Sequence, residues 1–180
     1  LAASHRLTID YGDADQLIKK ATKALTILES GRPEAWRPLR GRGVFYGQDS
    51  ANRVAMLFTG QGYQYLNMLR EMREVEPVVA ETFDEADAVM TPILGRPLTE
   101  CLFVDEADTA AAAAAEEELR QTAITQPAVL TVDIALTRLL GSYGLAPDFV
   151  MGHSLGEYGA LVAAGAMDFA DALAAVSARG

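Results

Sequence analysis

The chain is poor in the side chains on which most metal and redox chemistry rests. Its 180 residues include one cysteine, Cys101, and two histidines, His5 and His153. A single cysteine excludes a disulfide framework and any multi-cysteine metal site, so no metal is expected. Next to Leu102 and Phe103 it reads as a core residue rather than a nucleophile. No apolar stretch approaches the ~20 residues that a bilayer span requires. No signal-peptide pattern is present, and a cytoplasmic, membrane-free location is expected. Basic charge is also scarce: the formal net charge is −10, which argues against nucleic acid, whose phosphates would be repelled. Four arginines stand near Trp36 between residues 31 and 43, too few to reverse that conclusion in so acidic a chain. No internal repeat is visible.

What is present describes a globular protein. Hydrophobic residues make up 50% and charged residues 22%, and the length allows one good core plus an appendage. The chain begins with Leu1 rather than methionine and stops at Gly180, two residues past a helical pattern. It is therefore expected to be a piece of something longer.

Residues 6–11 alternate as a short strand, and residues 13–28 place Leu17, Ile18, Leu25 and Leu28 near the 3.6 period of a helix. Residues 31–43, with Pro33, Pro38 and Gly41, read as a linker or wrapping segment without regular structure. From Arg53 the character becomes α/β. Residues 54–58 form an apolar strand, 65–76 and 77–90 two helices, 122–127 a loop, and 128–140 a buried helix. The acidic, alanine-rich stretch 105–118 reads as a solvated helix or mobile loop. A strand at 149–151, a helix over 157–164 and a last helix over 169–178 capped by Asp168 complete the pattern. Strands alternating with helices imply a parallel sheet with helices on both faces.

The chemistry concentrates in Gly152-His153-Ser154-Leu155-Gly156, between that strand and helix. A serine on a sharp strand-to-helix turn carries its hydroxyl exposed above the sheet, and flanking glycines relieve the crowding. The helix N-terminus behind it presents unpaired N–H groups to a developing oxyanion. Acyl transfer through an acyl-enzyme needs that arrangement. Thr59-Gly60-Gln61-Gly62 follows the first strand of the sheet, where open α/β sheets place ligands, and would add a second N–H beside that of Leu155. Arg179 is either a helix C-terminal charge or a bidentate holder of a carboxylate. Gln126 either caps a helix or lines the site. The serine also needs a base. His153 adjoins it and points away in a tight elbow, which suits packing or bonding behind the turn, and His5 lies in the N-terminal appendage. Either Ser154 is inert or its base lies beyond Gly180; the second is expected.

Phe58-Thr59-Gly60-Gln61-Gly62, Thr125-Gln126-Pro127-Ala128 and Gly152-His153-Ser154-Leu155-Gly156-Glu157-Tyr158 resemble, in order, the early motifs of malonyl-CoA:acyl carrier protein transacylases. They also resemble the acyltransferase domains of modular and iterative synthases. The resemblance covers residues 53–180 and includes Val162-Ala163-Ala164-Gly165 and Arg179-Gly180. Thr59 departs from the family's usual proline. Residues 63–68 are closer to iterative polyketide synthases of the polyunsaturated fatty acid and enediyne type. Residues 1–50 look like the ketosynthase-to-acyltransferase linker of such synthases, and residues 51–180 like the N-terminal part of the acyltransferase large subdomain.

The resemblance implies an α/β-hydrolase-like large subdomain, with a ferredoxin-like subdomain and the histidine base beyond the chain end. It implies Ser154 as the acyl carrier, an oxyanion hole from Gln61 and Leu155, and Arg179, Gln126 and His153 around the substrate. Arg179 would pair with the free carboxylate of a malonyl group, and a buried arginine left without that carboxylate would disfavour simple acyl groups. No cofactor is implied; malonyl-CoA is a substrate and phosphopantetheine belongs to the carrier protein. Implied partners are the acyl carrier protein, an adjoining ketosynthase and the remainder of the acyltransferase, in polyketide or fatty acid biosynthesis. Two alternatives stand beside this: a serine hydrolase with a related elbow, such as an esterase or thioesterase, and a non-catalytic docking module.

Overall fold

The computed structural model describes residues 4–48 and 53–180. The chain divides into two compact units, Leu1–Asn52 and Arg53–Gly180.

In the first unit, strands β1 (His5–Ile9) and β2 (Val44–Gln48) pair antiparallel, His5 opposite Gln48 and Ile9 opposite Val44. Between them run α1 (Ala14–Ser30), a 3₁₀ turn (Pro33–Trp36) and the short α2 (Arg37–Arg40). Asp13 caps α1 by accepting from the Gln16 N–H at 2.7 Å, and Gly31 closes it in the left-handed conformation that glycine adopts without strain. The stretch expected to be irregular is thus partly helical. Pro33 and Pro38 sit in first turns, where a missing N–H is harmless. Trp36 is buried with Ala24, Leu39 and Val44 and stacks on Tyr46 at 4.4 Å between ring centroids. The apolar stripe expected for α1 is not its packed face: Ile18, Leu25 and Leu28 are exposed, and Ala24 is the buried contact.

The second unit is built around helices. Strands β3 (Ala55–Phe58) and β4 (Phe149–Gly152) pair in parallel, Ala55 beside Phe149 and Phe58 beside Gly152. The Asp148 carboxylate accepts from the Val54 N–H at 2.6 Å and fixes the start of the pair. The helices are α3 (Arg70–Val75), α4 (Pro77–Leu94), α5 (Leu98–Leu102), α6 (Thr109–Leu119), α7 (Thr122–Ser142), α8 (Gly156–Ala163) and α9 (Phe169–Ser177). Phe83 and Met90 of α4, Leu102 of α5, Leu130 of α7 and Leu173 of α9 form the centre of the core. Cys101 is buried among them, as its neighbours imply.

The α/β class with a parallel sheet is as expected; among the described residues, helices lie on one face of the β3–β4 pair. Helix α8 packs on β3 and β4, whereas Leu57 and Met151, alternate residues on the other face, are 71% and 67% exposed. The helix expected from residue 65 begins only at Arg70, because Asn67 and Leu69 adopt positive φ. The acidic, alanine-rich stretch is the helix α6, capped by Asp108. Asp168 stands before α9, yet its side chain makes no capping bond.

Residues 122–127, expected as a loop, are the first turns of α7, with Pro127 inside the helix. Proline removes the N–H that would bond to the carbonyl four residues back. That carbonyl, on Ala123, instead accepts from Ser177 Oγ at 3.1 Å. Helix α7 is long and apolar enough to cross a membrane by length and composition. In this fold it is the central helix, with eleven buried residues from Ile124 to Leu139.

Candidate active site

Strand β4 runs into the turn at His153 and Ser154, and α8 begins two residues later. Ser154 has φ +56, the left-handed region that costs a non-glycine residue about 1–2 kcal/mol. Close packing holds it there. A Cβ on Gly152 would overlap the Gly156 carbonyl, and one on Gly156 would overlap the Phe58 carbonyl. One on Gly159 would come within 2.9 Å of the Phe58 ring. The glycines therefore let α8 lie directly against the end of β3. Gly156 N–H donates to the His153 carbonyl at 3.0 Å and Glu157 N–H to the Ser154 carbonyl at 3.2 Å, closing the turn. Ser154 is exposed and Leu155 fully buried.

Beyond Phe58 the chain turns through Thr59-Gly60-Gln61-Gly62. His153 lies behind this loop: a Cβ on Gly60 would be 3.2 Å from its Nδ1. Gln126, 6% exposed in the second turn of α7, donates from Nε2 to Gln61 Oε1 at 3.1 Å. Among the described residues the backbone N–H groups of Gln61 and Leu155 have no acceptor. One of these N–H groups follows Ser154 and the other belongs to the loop that adjoins His153, and unpaired donors of this kind are what a tetrahedral oxyanion would require.

Arg179 follows α9, whose end abuts the start of α7: a Cβ on Gly180 would overlap the Ala123 N–H. Arg179 is exposed rather than buried as expected, and its guanidinium lies over the Tyr158 ring, 5.6 Å from the centroid. Ser154, Leu155, Gln61, Gln126, His153 and Arg179 thus all belong to three adjoining segments: the β3 loop, the elbow and the α7–α9 junction. His153 is the sole histidine between Arg53 and Gly180. Among the described residues no group of three or more His, Cys, Asp or Glu could hold a metal.

Residues 55–180, which contain every one of these positions, match the acyl transferase domain family. The chain belongs to that family. This acyl transferase domain is 39% identical over 176 residues to polyketide synthase GfsA of Streptomyces halstedii, covering 98% of this chain and 2% of that protein. It is 43% identical over 129 residues to the malonyl CoA-acyl carrier protein transacylase of Bacillus subtilis (strain 168), covering 72% of this chain and 37% of that protein. Among solved structures it is similar to the acyltransferase domain from the second module of the salinomycin polyketide synthase. There the TM-score is 0.73 and identity 36%, over 99% of this chain and 37% of that one. The chain therefore spans 37% or less of the length of these relatives.

Three features of the acyl transferase domain escaped the sequence reading. Asp133, on α7, has an Oδ2 sealed from solvent with no hydrogen-bond partner among the described residues, and burial pushes its carboxyl up to about 7. Its Oδ2 would lie 3.5 Å from a Cβ on Gly159, so it sits under α8. A lone aspartate in an otherwise apolar helix was the available signal. Asn67 ties the end of the loop region to residues 102–106. Its N–H donates to the Leu102 carbonyl at 2.8 Å, its Oδ1 accepts from Val104 N–H at 3.0 Å, and its Nδ2 donates to Glu106 at 2.8 Å. The stacking of Arg179 on Tyr158 joins residues of two helices, and nothing local marks it.

Proposed function

We propose that this domain carries the acyl-enzyme of a malonyl-CoA:acyl carrier protein acyltransferase within a polyketide or fatty acid synthase. The observation that carries the reading is the strained, exposed Ser154 beside the free N–H groups of Gln61 and Leu155. Ser154 Oγ attacks the thioester carbonyl, the carbonyl oxygen takes the negative charge, and the two N–H groups receive it. Collapse breaks the C–S bond. The serine proton passes through a base to the departing coenzyme A thiolate, leaving a malonyl ester on Ser154. The carrier protein's phosphopantetheine thiol then attacks that ester by the reverse sequence. The base is a histidine from the remainder of the acyltransferase, and no resident cofactor takes part.

Gln126 orients Gln61 through its amide, and His153 supports the loop through Gly60. Arg179 selects the malonyl group by a two-pronged bond to its carboxylate, because a planar guanidinium matches two carboxylate oxygens. The first unit is the linker that joins a ketosynthase to this domain. Supporting this, the synthase relative aligns over nearly the whole chain, whereas the B. subtilis transacylase aligns over 129 residues. A cytoplasmic location accords with coenzyme A thioesters as substrates.

Intact-protein mass spectrometry of the longer protein that contains this domain, mixed with malonyl-CoA or acetyl-CoA, tests the reading. A malonyl adduct on the wild type, absent in Ser154→Ala, and little acetyl adduct are expected. An adduct that survives Ser154→Ala, or equal labelling by both donors, would overturn it.

A further inference from the structure

A malonyl group carries its carboxylate one methylene away from the reacting carbonyl, so the cation that reads it must stand close to Ser154 and in one place. Arginine is long and rotamer-rich, and an unheld guanidinium would have to be ordered each time substrate binds. Of the arginines of the second unit, Arg73, Arg96, Arg120 and Arg138 are in ion pairs, Arg70 bonds Asn67 and the Val104 carbonyl, and Arg53, just before β3, lies over the Phe149 ring. Among the described residues, the Arg179 guanidinium has no ion pair and no hydrogen bond. Its one specific contact is the face of Tyr158.

Tyr158 is four residues beyond Ser154, in the first turn of α8. Its N–H donates to the Leu155 carbonyl at 3.0 Å, so the ring is fixed to the same turn that supplies an oxyanion-hole N–H. It is half-buried and packs against the core. The ring face attracts the cation but takes up none of its five N–H donors. An aspartate or glutamate in the same place would hold the arginine as well, and would compete with the substrate carboxylate.

We propose that Tyr158 is a positioning residue for acyl-group selection, its ring holding the Arg179 guanidinium beside Ser154 with its donors open to a substrate carboxylate. The proposal rests on the reading of Arg179 as the carboxylate partner. It places selectivity for a dicarboxylic acyl group partly in the nucleophile helix itself, so nucleophile and selector keep a common frame.

The test compares kcat/KM for malonyl-CoA and acetyl-CoA in the longer protein, for wild type and the Tyr158→Leu, Tyr158→Phe and Arg179→Ala variants. The malonyl-to-acetyl ratio within one preparation is independent of the fraction folded. Tyr158→Leu is expected to lower that ratio about two- to five-fold, the size of a cation–π contact at a partly exposed site, through a raised KM for malonyl-CoA. Tyr158→Phe keeps the ring and should retain the wild-type ratio. An unchanged ratio in Tyr158→Leu, or a Phe variant as impaired as the Leu variant, overturns the proposal. If Tyr158→Leu does not fold, Tyr158→Met serves with the same expectation. Arg179→Ala separates the two levels. A collapsed ratio there with an unchanged Tyr158→Leu removes only the role of Tyr158. An unchanged ratio in Arg179→Ala removes the reading of Arg179, and this proposal with it.

Discussion

Asp133 is where a single residue has the largest leverage over conditions. Elements α4, α5, α6, α8 and α9 pack around α7, and Arg138, the next charge along the helix, is engaged by Glu85 at 2.7 Å. Burial alone lifts the Asp133 carboxyl to about 7, against ~3.9 in an unfolded chain. Between those values the folded protein holds a proton that the unfolded chain releases. Stability contributed by this group is therefore complete below pH ~4, falls as pH rises toward 7, and levels off above it. Asp133→Asn cannot ionise and should flatten that slope. Thermal or urea unfolding of both proteins from pH 4.5 to 8 should show the variant gaining on the wild type with rising pH, by on the order of 2–4 kcal/mol across the range. A difference that does not change with pH would mean that Asp133 titrates as an ordinary aspartate. The same carboxyl lies under Gly159, so its ionisation loads the helix that carries Ser154 rather than a distant surface.

At the level of elements, the join between α7 and α9 shows how a helix tolerates an internal proline. Pro127 follows Gln126 directly, and the Ala123 carbonyl it leaves without an N–H is taken by Ser177 Oγ. Ser177→Ala should cost about 1–3 kcal/mol, the penalty of an unpaired polar group in a packed setting. In a Pro127→Ala background, where residue 127 regains its N–H, the same change should cost markedly less. A double-mutant cycle by urea unfolding measures this, and a coupling below about 0.5 kcal/mol would show the two residues to be independent. This bond also explains what was legible in the sequence and what was not. The elbow could be read because every requirement is local: an apolar strand, glycines two before and two after Ser154, and an apolar helix. The start of α7 could not, because the proline argues for a loop unless Ser177, fifty residues on, is known to stand beside it. Strand β2 was missed for the same reason, since it is defined by pairing with β1 across α1. Asn67, held by residues 102–106, and Leu69 shortened α3 through positive φ values that no periodicity reveals.

At the scale of the whole molecule, the second unit has a well-filled helical core and a sheet dressed on one side only. Phe58 and Gly156 are pressed together on the α8 side, while Leu57, Phe149 and Met151 face outward, 71%, 52% and 67% exposed. Parallel strands are ordinarily covered on both faces, and a contiguous apolar patch on a soluble protein marks a place where something else packs. The relatives of this domain are longer than the chain, which spans 37% of the B. subtilis transacylase. The consequence is a pair of measurements with opposite signs. In the 180-residue chain, Leu57→Thr with Met151→Thr should reduce binding of a hydrophobic dye and self-association by light scattering. Its effect on unfolding free energy should be small, within about 0.5 kcal/mol per site, because the side chains are in water. In a protein extended to the length of those relatives the same pair should cost several kcal/mol, on the order of 2–5 for each large apolar side chain lost from a core. Equal and small effects in both proteins would mean that the face stays in water throughout. The one-sided sheet would then be the finished form of this unit, and the elbow would have to be held by α8 and its glycines alone.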